Sequence, residues 1–204
     1  MSTIKNIIFD FGGVLGADAN SWIWKKDPEI LTQTGLSEQE LINIFWNHWE
    51  NLKVGNEDLQ TFFEDIATQS KQEVSVDTLR KLYHRSITRN EDVFDIVKKL
   101  ENTYRLYILA NESIEGMTYK KDTFNLRDYF VKIFNSAELK LGKPDKKVFA
   151  KVLEEIHAPA KDVLFIDDQE KNVEAAQAVG IVSILFKNEK QLQQELNVLL
   201  KIKG

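Results

Sequence analysis

The sequence contains no cysteine, and among its 204 residues there are only three prolines and three histidines. Without thiols, disulfide bonds, thiolate metal sites and cysteine nucleophiles are all excluded. The histidines, His48, His84 and His157, do not have the spacing of a set of metal ligands. A net charge of −5 gives no general attraction to nucleic acid or to an anionic membrane, so neither is an expected partner.

Long apolar stretches are also missing. No segment approaches the about 20 apolar residues that a membrane-spanning helix needs, and the amino terminus lacks the basic segment and apolar run of a signal peptide. We therefore expect a cytoplasmic protein. Hydrophobic residues make up 43% of the chain, enough for a sizeable core, and the length fits one large domain or a core with a small insert.

Short apolar segments rich in β-branched and aromatic residues predict the strands of a sheet. They are residues 4–9, 106–109, 131–134, 163–166 and 181–186. From about residue 90 these segments alternate with stretches whose apolar residues recur at helical spacing. This alternation predicts an α/β fold, with a Rossmann-like parallel sheet covered by helices on both faces.

The stretch between the first two predicted strands is too long for a single crossover helix. Its apolar residues recur at helical spacing, and Ser37 with Glu40 resembles a capping box. We therefore predict an inserted α-helical cap. The predicted division is a Rossmann-like core of residues 1–16 and 89–204, and a cap of residues 17–88.

All four tryptophans lie in the predicted cap. Trp46 and Trp49 follow an apolar helical stripe, so we expect them to fill the core of the cap. Trp22 and Trp24 lie closer to the first acidic motif and are candidates to face a substrate. Phe45, Trp46 and Trp49 could also supply a homodimer face, so the sequence leaves both a monomer and a homodimer open.

Two of the predicted strands end in acidic residues. Asp10 ends the first and is followed closely by Gly12 and Gly13, and Asp167 and Asp168 end the strand of residues 163–166. Open α/β sheets carry out chemistry at the carboxyl ends of their strands. A lone Asp there could simply cap a helix, but three carboxylates at one edge favour a cation between them. Mg²⁺ suits this role because it takes oxygen ligands.

Two further residues follow predicted strands. Lys143 precedes Pro144, which we expect to begin a helix. A lysine held there can neutralise both a nucleophilic carboxylate and a phosphate. Asn111 can donate hydrogen bonds to phosphoryl oxygens, although asparagine is equally common in turns.

In their order along the chain, these motifs resemble the haloacid dehalogenase-like hydrolase superfamily. The specific runs are Lys-Pro-Asp from Lys143 and Asp-Asp-x-x-x-Asn from Asp167. The resemblance covers the whole chain, since the helical insert lies where that family has its first type of cap. The chain is most similar to the branch that contains sugar-phosphate phosphatases and the amino-terminal phosphatase domain of soluble epoxide hydrolases.

The resemblance implies a Mg²⁺-dependent phosphatase that hydrolyses a small phosphorylated metabolite. By this resemblance Asp10 is the nucleophile that forms an aspartyl-phosphate, and Lys143 and Asp167 complete the catalytic set. The implied metal ligands are Asp10, the backbone carbonyl of Gly12, and Asp168.

The resemblance also implies how the remaining motif residues act. Asp167 and Asn172 would orient the water shell of the metal and Lys143. The implied substrate-binding residues, which would hold the phosphoryl group, are Gly12, Gly13, Asn111 and Lys143.

Two positions depart from the family pattern. Gly12 stands where phosphatases of this family usually have a second Asp, a general acid and base worth about 10²–10⁴-fold in rate. Ala110 stands where the family usually has a Ser or Thr hydroxyl that contacts the phosphoryl group. The departures leave open an impaired relative that binds a phospholigand or a protein partner. A 2-haloacid dehalogenase is a third alternative, but that branch needs no metal, and the Asp167–Asp168 pair argues against it.

Overall fold

A five-stranded parallel sheet forms the centre of the computed structural model, which describes residues 4–17 and 27–201. The strands of the chain are β1 (Asn6–Phe9), β2 (Gly16–Ala17), β3 (Thr88–Arg89), β4 (Arg105–Ala110), β5 (Lys132–Asn135), β6 (Val163–Asp167) and β7 (Val182–Leu185). The sheet has the order β5-β4-β1-β6-β7, which places β1 at its centre. The predicted Rossmann-like α/β fold is confirmed, and every predicted sheet strand is present with small shifts at its ends.

Helices cover both faces of this sheet. They are α1 (Pro28–Thr34), α2 (Glu38–Lys53), α3 (Leu59–Gln69), α4 (Val76–Ser86), α5 (Glu91–Leu100), α6 (Ile114–Thr123), α7 (Ser136–Leu139), α8 (Lys146–Glu155), α9 (Glu170–Gln177) and α10 (Glu189–Leu200), with short 3₁₀ turns at Leu126–Asp128 and Ala160–Asp162. Side chains alternate along β1, so that Ile7 and Phe9 enter one hydrophobic core and Ile8 enters another on the opposite face. Within the described residues, no helix is both long and apolar enough to span a membrane.

Helices α1–α4 lie between the short strands β2 and β3, which pair antiparallel. The predicted capping box at the start of α2 is present, since Ser37 and Glu40 hydrogen-bond reciprocally. Helix α1 was not predicted, although Asp27 followed by Pro28 is a common helix start and the Asp27 side chain accepts a hydrogen bond from Glu29 N. The helices are where the cap was predicted, and the division at residues 17 and 88 stays a prediction.

Two local predictions differ from the structure. Pro144 does not begin α8, because Asp145 is its N-cap and accepts a hydrogen bond from Lys147 N. Trp46 does not fill the core of the inserted helices: it is 49% exposed, whereas Trp49 is buried as expected. The prediction for Trp22 and Trp24 concerns positions outside the described residues.

Candidate active site

The acidic residues meet because their strands are neighbours. β1 lies between β4 and β6, so the carboxyl ends that carry Asp10, Asn111 and Asp167 share one edge of the sheet. Backbone pairing continues past β1, since Asp10 N donates to Ile166 O at 2.9 Å. This register places Asp10 beside the end of β6 and explains how two residues far apart in sequence form one site.

Lys143 lies buried between two carboxylates. Its Nζ is 2.8 Å from Asp10 Oδ1 and 2.7 Å from Asp167 Oδ2. Asp10 Oδ1 also accepts a hydrogen bond from Phe11 N at 2.6 Å. The ammonium and the backbone amide together fix the orientation of the Asp10 carboxylate.

The second oxygen of Asp167 is held from the following helix. Asp167 Oδ1 accepts hydrogen bonds from Asn172 Nδ2 at 2.9 Å and from Gln169 N at 2.8 Å. With the bond from Lys143, both oxygens of this fully buried carboxylate are engaged. Asp167 therefore holds Lys143 in place.

Asn111 is hydrogen-bonded to the backbone of Lys143. Its Nδ2 donates to Lys143 O, and Lys143 N donates to Asn111 Oδ1, both at 2.8 Å. The peptide bond between Lys143 and Pro144 is cis. The Asn111 side chain therefore positions the lysine, and it also lines the cavity above this edge of the sheet. Its binding of a phosphoryl group stays a prediction.

The charges at the site do not balance. Burial raises the pKa of the Asp10 carboxyl, Lys143 lowers it, and Asp167 and Asp168 raise it, so that it lies well above its usual range. Burial lowers the pKa of Lys143, but the charges of Asp10 and Asp167 outweigh this effect and raise it, so the lysine stays charged. The site therefore brings three carboxylates together with one ammonium, which favours a further cation.

The donor set fits Mg²⁺. One oxygen from each of Asp10, Asp167 and Asp168 lies within 4.8 Å of the others, and oxygen ligands are those that Mg²⁺ prefers. Because Asp167 is engaged on both oxygens, Asp10 and Asp168 are the carboxylates suited to direct ligation. Asn172 Oδ1 is buried and has no hydrogen-bond partner among the described residues, so it could accept from a metal-bound water.

The turn after β1 brings backbone close to Asp168. Gly13 has φ +77°, and a Cβ at this position would lie 2.3 Å from Asp168 Oδ2. A side chain is therefore excluded both by the backbone conformation and by the carboxylate. Gly12 lines the same cavity, and the metal-binding role of its carbonyl stays a prediction.

A cavity of about 450 Å³ opens above this edge of the sheet. All but one of the predicted site residues line it, namely Asp10, Gly12, Gly13, Asn111, Lys143, Asp168 and Asn172. The exception is Asp167, which is fully buried. The cavity also has a wall that the sequence analysis missed, formed by Trp46, Trp49, Glu50 and Lys53 of α2. Their spacing of three, four and seven residues from Trp46 was the available signal.

Comparison with models of known protein families shows which family the chain belongs to. The family model described as haloacid dehalogenase-like hydrolase matches residues 7–186. The chain belongs to this family. It is therefore an enzyme of the haloacid dehalogenase-like hydrolases, and the predicted family is confirmed. The matched segment begins in β1 and ends just after β7, so it contains every site residue described above.

The chain is similar in sequence to several characterised proteins. D-ribitol-5-phosphate phosphatase from Bacteroides thetaiotaomicron is 24% identical to it, over 97% of this chain and 98% of that protein. Sesquiterpene phosphatase astK from Aspergillus oryzae is 27% identical, over 90% of each. Drimenol cyclase drtB from Aspergillus calidoustus is 30% identical over 130 residues, which cover 62% of this chain. The aligned part spans only 22% of that cyclase.

A solved structure of the same family is also similar. It is a haloacid dehalogenase family enzyme from Bacteroides thetaiotaomicron in complex with magnesium and inorganic phosphate. The TM-score is 0.75 at 26% identity, over 90% of this chain and 94% of that chain. The likeness therefore extends over the sheet and the inserted helices together.

Proposed function

We propose that this protein is a Mg²⁺-dependent phosphatase that hydrolyses a small phosphorylated metabolite through an aspartyl-phosphate on Asp10. The main support is the buried Lys143 side chain, which bridges Asp10 and Asp167. It lies beside a cavity that a third carboxylate, Asp168, also lines. Two relatives aligned over nine-tenths or more of their length are named phosphatases, which supports the same activity.

The first step is attack by a carboxylate oxygen of Asp10 on phosphorus. The bond from phosphorus to the ester oxygen breaks, and the alcohol leaves with a proton from solvent, forming an acyl phosphate on Asp10. Lys143 offsets the negative charge of the carboxylate and of the incoming phosphoryl group. Gly12 and Gly13 line the cavity beside Asp10. The Gly13 amide donates to Gly16 O at 2.9 Å, so in this mechanism Gly13 shapes the turn and the Gly12 amide binds phosphoryl oxygens.

The second step returns the enzyme to its starting state. A water molecule attacks phosphorus, the bond to the Asp10 oxygen breaks, and inorganic phosphate is released. When bound by Asp10, Asp168 and the Gly12 carbonyl, Mg²⁺ supplies positive charge that offsets the phosphoryl oxygens. Asp167 and Asn172 act indirectly, since they hold Lys143 and the surrounding hydrogen bonds in place.

In the proposed enzyme, helices α1–α4 form the cap. The core comprises residues 1–16 and 89–204, and the cap comprises residues 17–88. The cap carries α2 and therefore one wall of the cavity. We retain a cytoplasmic monomer or homodimer as the expected form, with neither nucleic acid nor membrane as a partner.

A second candidate rests on two residues of the site. Gly12 contributes no carboxylate to the cavity, and the buried methyl group of Ala110 offers no hydroxyl to a phosphoryl group. By analogy with deletion of an oxyanion-hole donor, one missing hydroxyl costs about 3 kcal/mol of transition-state stabilisation. These residues favour a protein that binds a phospholigand and turns it over slowly.

The test is release of phosphate from p-nitrophenyl phosphate and from a panel of phosphorylated metabolites. We expect turnover with Mg²⁺, loss of turnover in EDTA, and recovery on adding Mg²⁺ back. Asp168→Asn should weaken activation by Mg²⁺, so that saturation needs a higher concentration. No turnover across the panel, together with Mg²⁺-assisted binding of a phospholigand in calorimetry, would support the second candidate instead.

A further inference from the structure

The cavity has a second wall whose chemistry differs from that of the carboxylate cluster. We propose that one face of α2 is the subsite for the leaving group and selects an uncharged, hydroxyl-bearing one, as in the phosphate monoester of a short polyol. The inference rests on the proposed phosphatase function and adds the class of substrate to it.

The subsite is a single stripe of one helix. Trp46, Trp49, Glu50 and Lys53 are spaced so that they share a face of α2, and all of them line the cavity that contains Asp10. A phosphate ester bound at Asp10 therefore extends its alcohol portion into space bounded by these side chains. The stripe belongs to the inserted helices, whereas the residues that act on phosphorus belong to the sheet edge.

The indoles give this wall an apolar surface in a fixed position. Trp49 stacks on Phe45 at 5.3 Å between ring centroids, and Trp46 packs edge-on against Phe45 at the same distance. Trp46 nonetheless leaves about half of its surface exposed. An indole face in a cavity is suited to the C–H surface of a carbon chain, such as that of a polyol.

The charged residues of the stripe neutralise each other. Lys53 Nζ lies 2.8 Å from Glu50 Oε1 and 2.6 Å from Glu50 Oε2. A leaving group with its own carboxylate or ammonium would pair with one of these residues and leave the other without its partner. A hydroxyl can donate to Glu50 and accept from Lys53 while the pair stays intact.

The same pair disfavours a purely apolar leaving group. Lys53 is largely buried at this wall, and a prenyl chain laid over it and Glu50 would remove water without supplying hydrogen bonds. Leaving polar groups unsatisfied in this way carries an energetic cost that hydroxyl groups avoid. The combination of indole faces with a neutral ion pair therefore fits a polyol better than a terpenoid or a charged metabolite.

The experiment compares three phosphate esters and one acyl phosphate in Mg²⁺ buffer. They are D-ribitol 5-phosphate, 3-phosphoglycerate, farnesyl phosphate, and acetyl phosphate as a minimal substrate. We expect kcat/KM for ribitol 5-phosphate to exceed that for 3-phosphoglycerate and for farnesyl phosphate by about tenfold or more, the discrimination of one good hydrogen-bonded contact. Preference for the charged or the prenyl substrate overturns the proposed class.

Variants assign the preference to the stripe. Trp46→Ala and Glu50→Gln should each lower the ratio of kcat/KM for ribitol 5-phosphate to that for acetyl phosphate by about tenfold. Matched controls are Asn47→Ala, an exposed neighbour that does not line the cavity, and Glu64→Gln on α3; both should leave the ratio unchanged. Thermal unfolding confirms that each variant is folded.

The outcomes separate the two proposals. If acetyl phosphate is hydrolysed but the ratio does not respond to Trp46→Ala or Glu50→Gln, the subsite is wrong and the phosphatase function stands. If none of the four compounds, acetyl phosphate included, releases phosphate with Mg²⁺, the phosphatase function fails and the subsite fails with it.

Discussion

The side-chain amide of Asn111 is hydrogen-bonded to both polar groups of the Lys143 backbone, each bond being 2.8 Å long. The lysine that bridges Asp10 and Asp167 is thus held at two levels, by its backbone and by its ammonium. Accurate placement of such a group matters because a small displacement from the reacting atoms lowers rate steeply.

Asn111→Ala should therefore impair turnover more than it impairs folding. The change removes two hydrogen bonds to Lys143, and we expect a loss of about 1–3 kcal/mol in the free energy of unfolding. We expect kcat to fall about 10–100-fold as the ammonium loses its position. Steady-state kinetics and urea denaturation measure the two effects.

The control for this variant is Asn43→Ala, an exposed asparagine on α2 that lies outside the cavity. It should leave kcat unchanged. A kcat for Asn111→Ala within about twofold of the unmodified enzyme would mean that Lys143 keeps its place without the amide.

The backbone at Gly13 lies close to Asp168, and Gly180 provides a matched control that does not. Both have positive φ, +77° and +88°, but a Cβ at Gly180 would meet only Ala160 Cβ at 3.5 Å. Alanine at either position should cost about 1–3 kcal/mol of stability from the left-handed backbone. Only Gly13→Ala should also abolish turnover, because its methyl group would displace Asp168. Equal activity of the two variants would contradict this role.

Much of the site could be predicted because its signals are local. Asp10 and Asp167 each end an apolar run, and a run that ends in an acid places that acid at a strand end whatever the tertiary arrangement. The bond between Asn111 and Lys143 spans 32 residues of sequence. Its geometry follows from the pairing of strands and the path of loops, which a single sequence does not encode locally.

The wall formed by α2 was missed for a different reason. Trp46 and Trp49 belong to the same helical stripe, so periodicity assigned both to the core of the inserted helices. Only one of the two side chains is buried in that core: Trp49 is 9% exposed, whereas Trp46 is 49% exposed. The rotation of α2 about its axis relative to the cavity depends on packing against α3 and the core, which apolar spacing does not determine.

A buried ion pair beside Phe11 predicts a large effect on stability. Glu112 and Lys120 are hydrogen-bonded and almost wholly buried, and Lys120 Nζ lies 4.5 Å from the ring centroid of Phe11. Lys120→Met leaves the Glu112 carboxylate buried without its cation and should destabilise the fold by about 3–5 kcal/mol. Chemical denaturation at neutral pH measures this loss.

Adding Glu112→Gln to Lys120→Met should recover part of the loss, since the unpaired charge is then gone. The contrasting variant is Lys98→Met. Lys98 pairs with Asp95 at 3.0 Å on an exposed surface, and its loss should be undetectable in the same assay. If Lys120→Met and Lys98→Met lowered the free energy of unfolding by similar amounts, burial of the Glu112–Lys120 pair would not increase its contribution to stability.

His48 predicts a pH dependence of stability. Its Nε2 lies 2.9 Å from Asp65 Oδ2, and its Nδ1 contacts Glu57. Partial burial lowers the pKa of His48, but the hydrogen bonds and charges of Asp65 and Glu57 outweigh this and raise it above its ordinary value. The folded state therefore binds the proton more tightly than the unfolded chain. The resulting stabilisation is fully present below about pH 6.5 and is lost as pH rises through the folded-state pKa.

His48→Gln tests this linkage. The free energy of unfolding of the unmodified protein should exceed that of the variant most at about pH 6, and the difference should shrink at about pH 9. Glu57→Gln removes one of the two partners and should weaken the same pH dependence. Parallel stability curves for the unmodified protein and His48→Gln across this range would exclude the predicted linkage.

In the proposed mechanism Asp10 carries the phosphoryl group during turnover. Chemical trapping tests this role: enzyme turning over a phosphate ester with Mg²⁺ is quenched and treated with borohydride, which reduces an acyl phosphate but not a free carboxylate. Mass spectrometry of the peptide containing Asp10 then reads the outcome. We expect Asp10 to be converted to homoserine only when substrate is present, with no conversion in Asp10→Asn. Sustained Mg²⁺-dependent turnover with Asp10 unmodified, or normal turnover in Asp10→Asn, would contradict the claim.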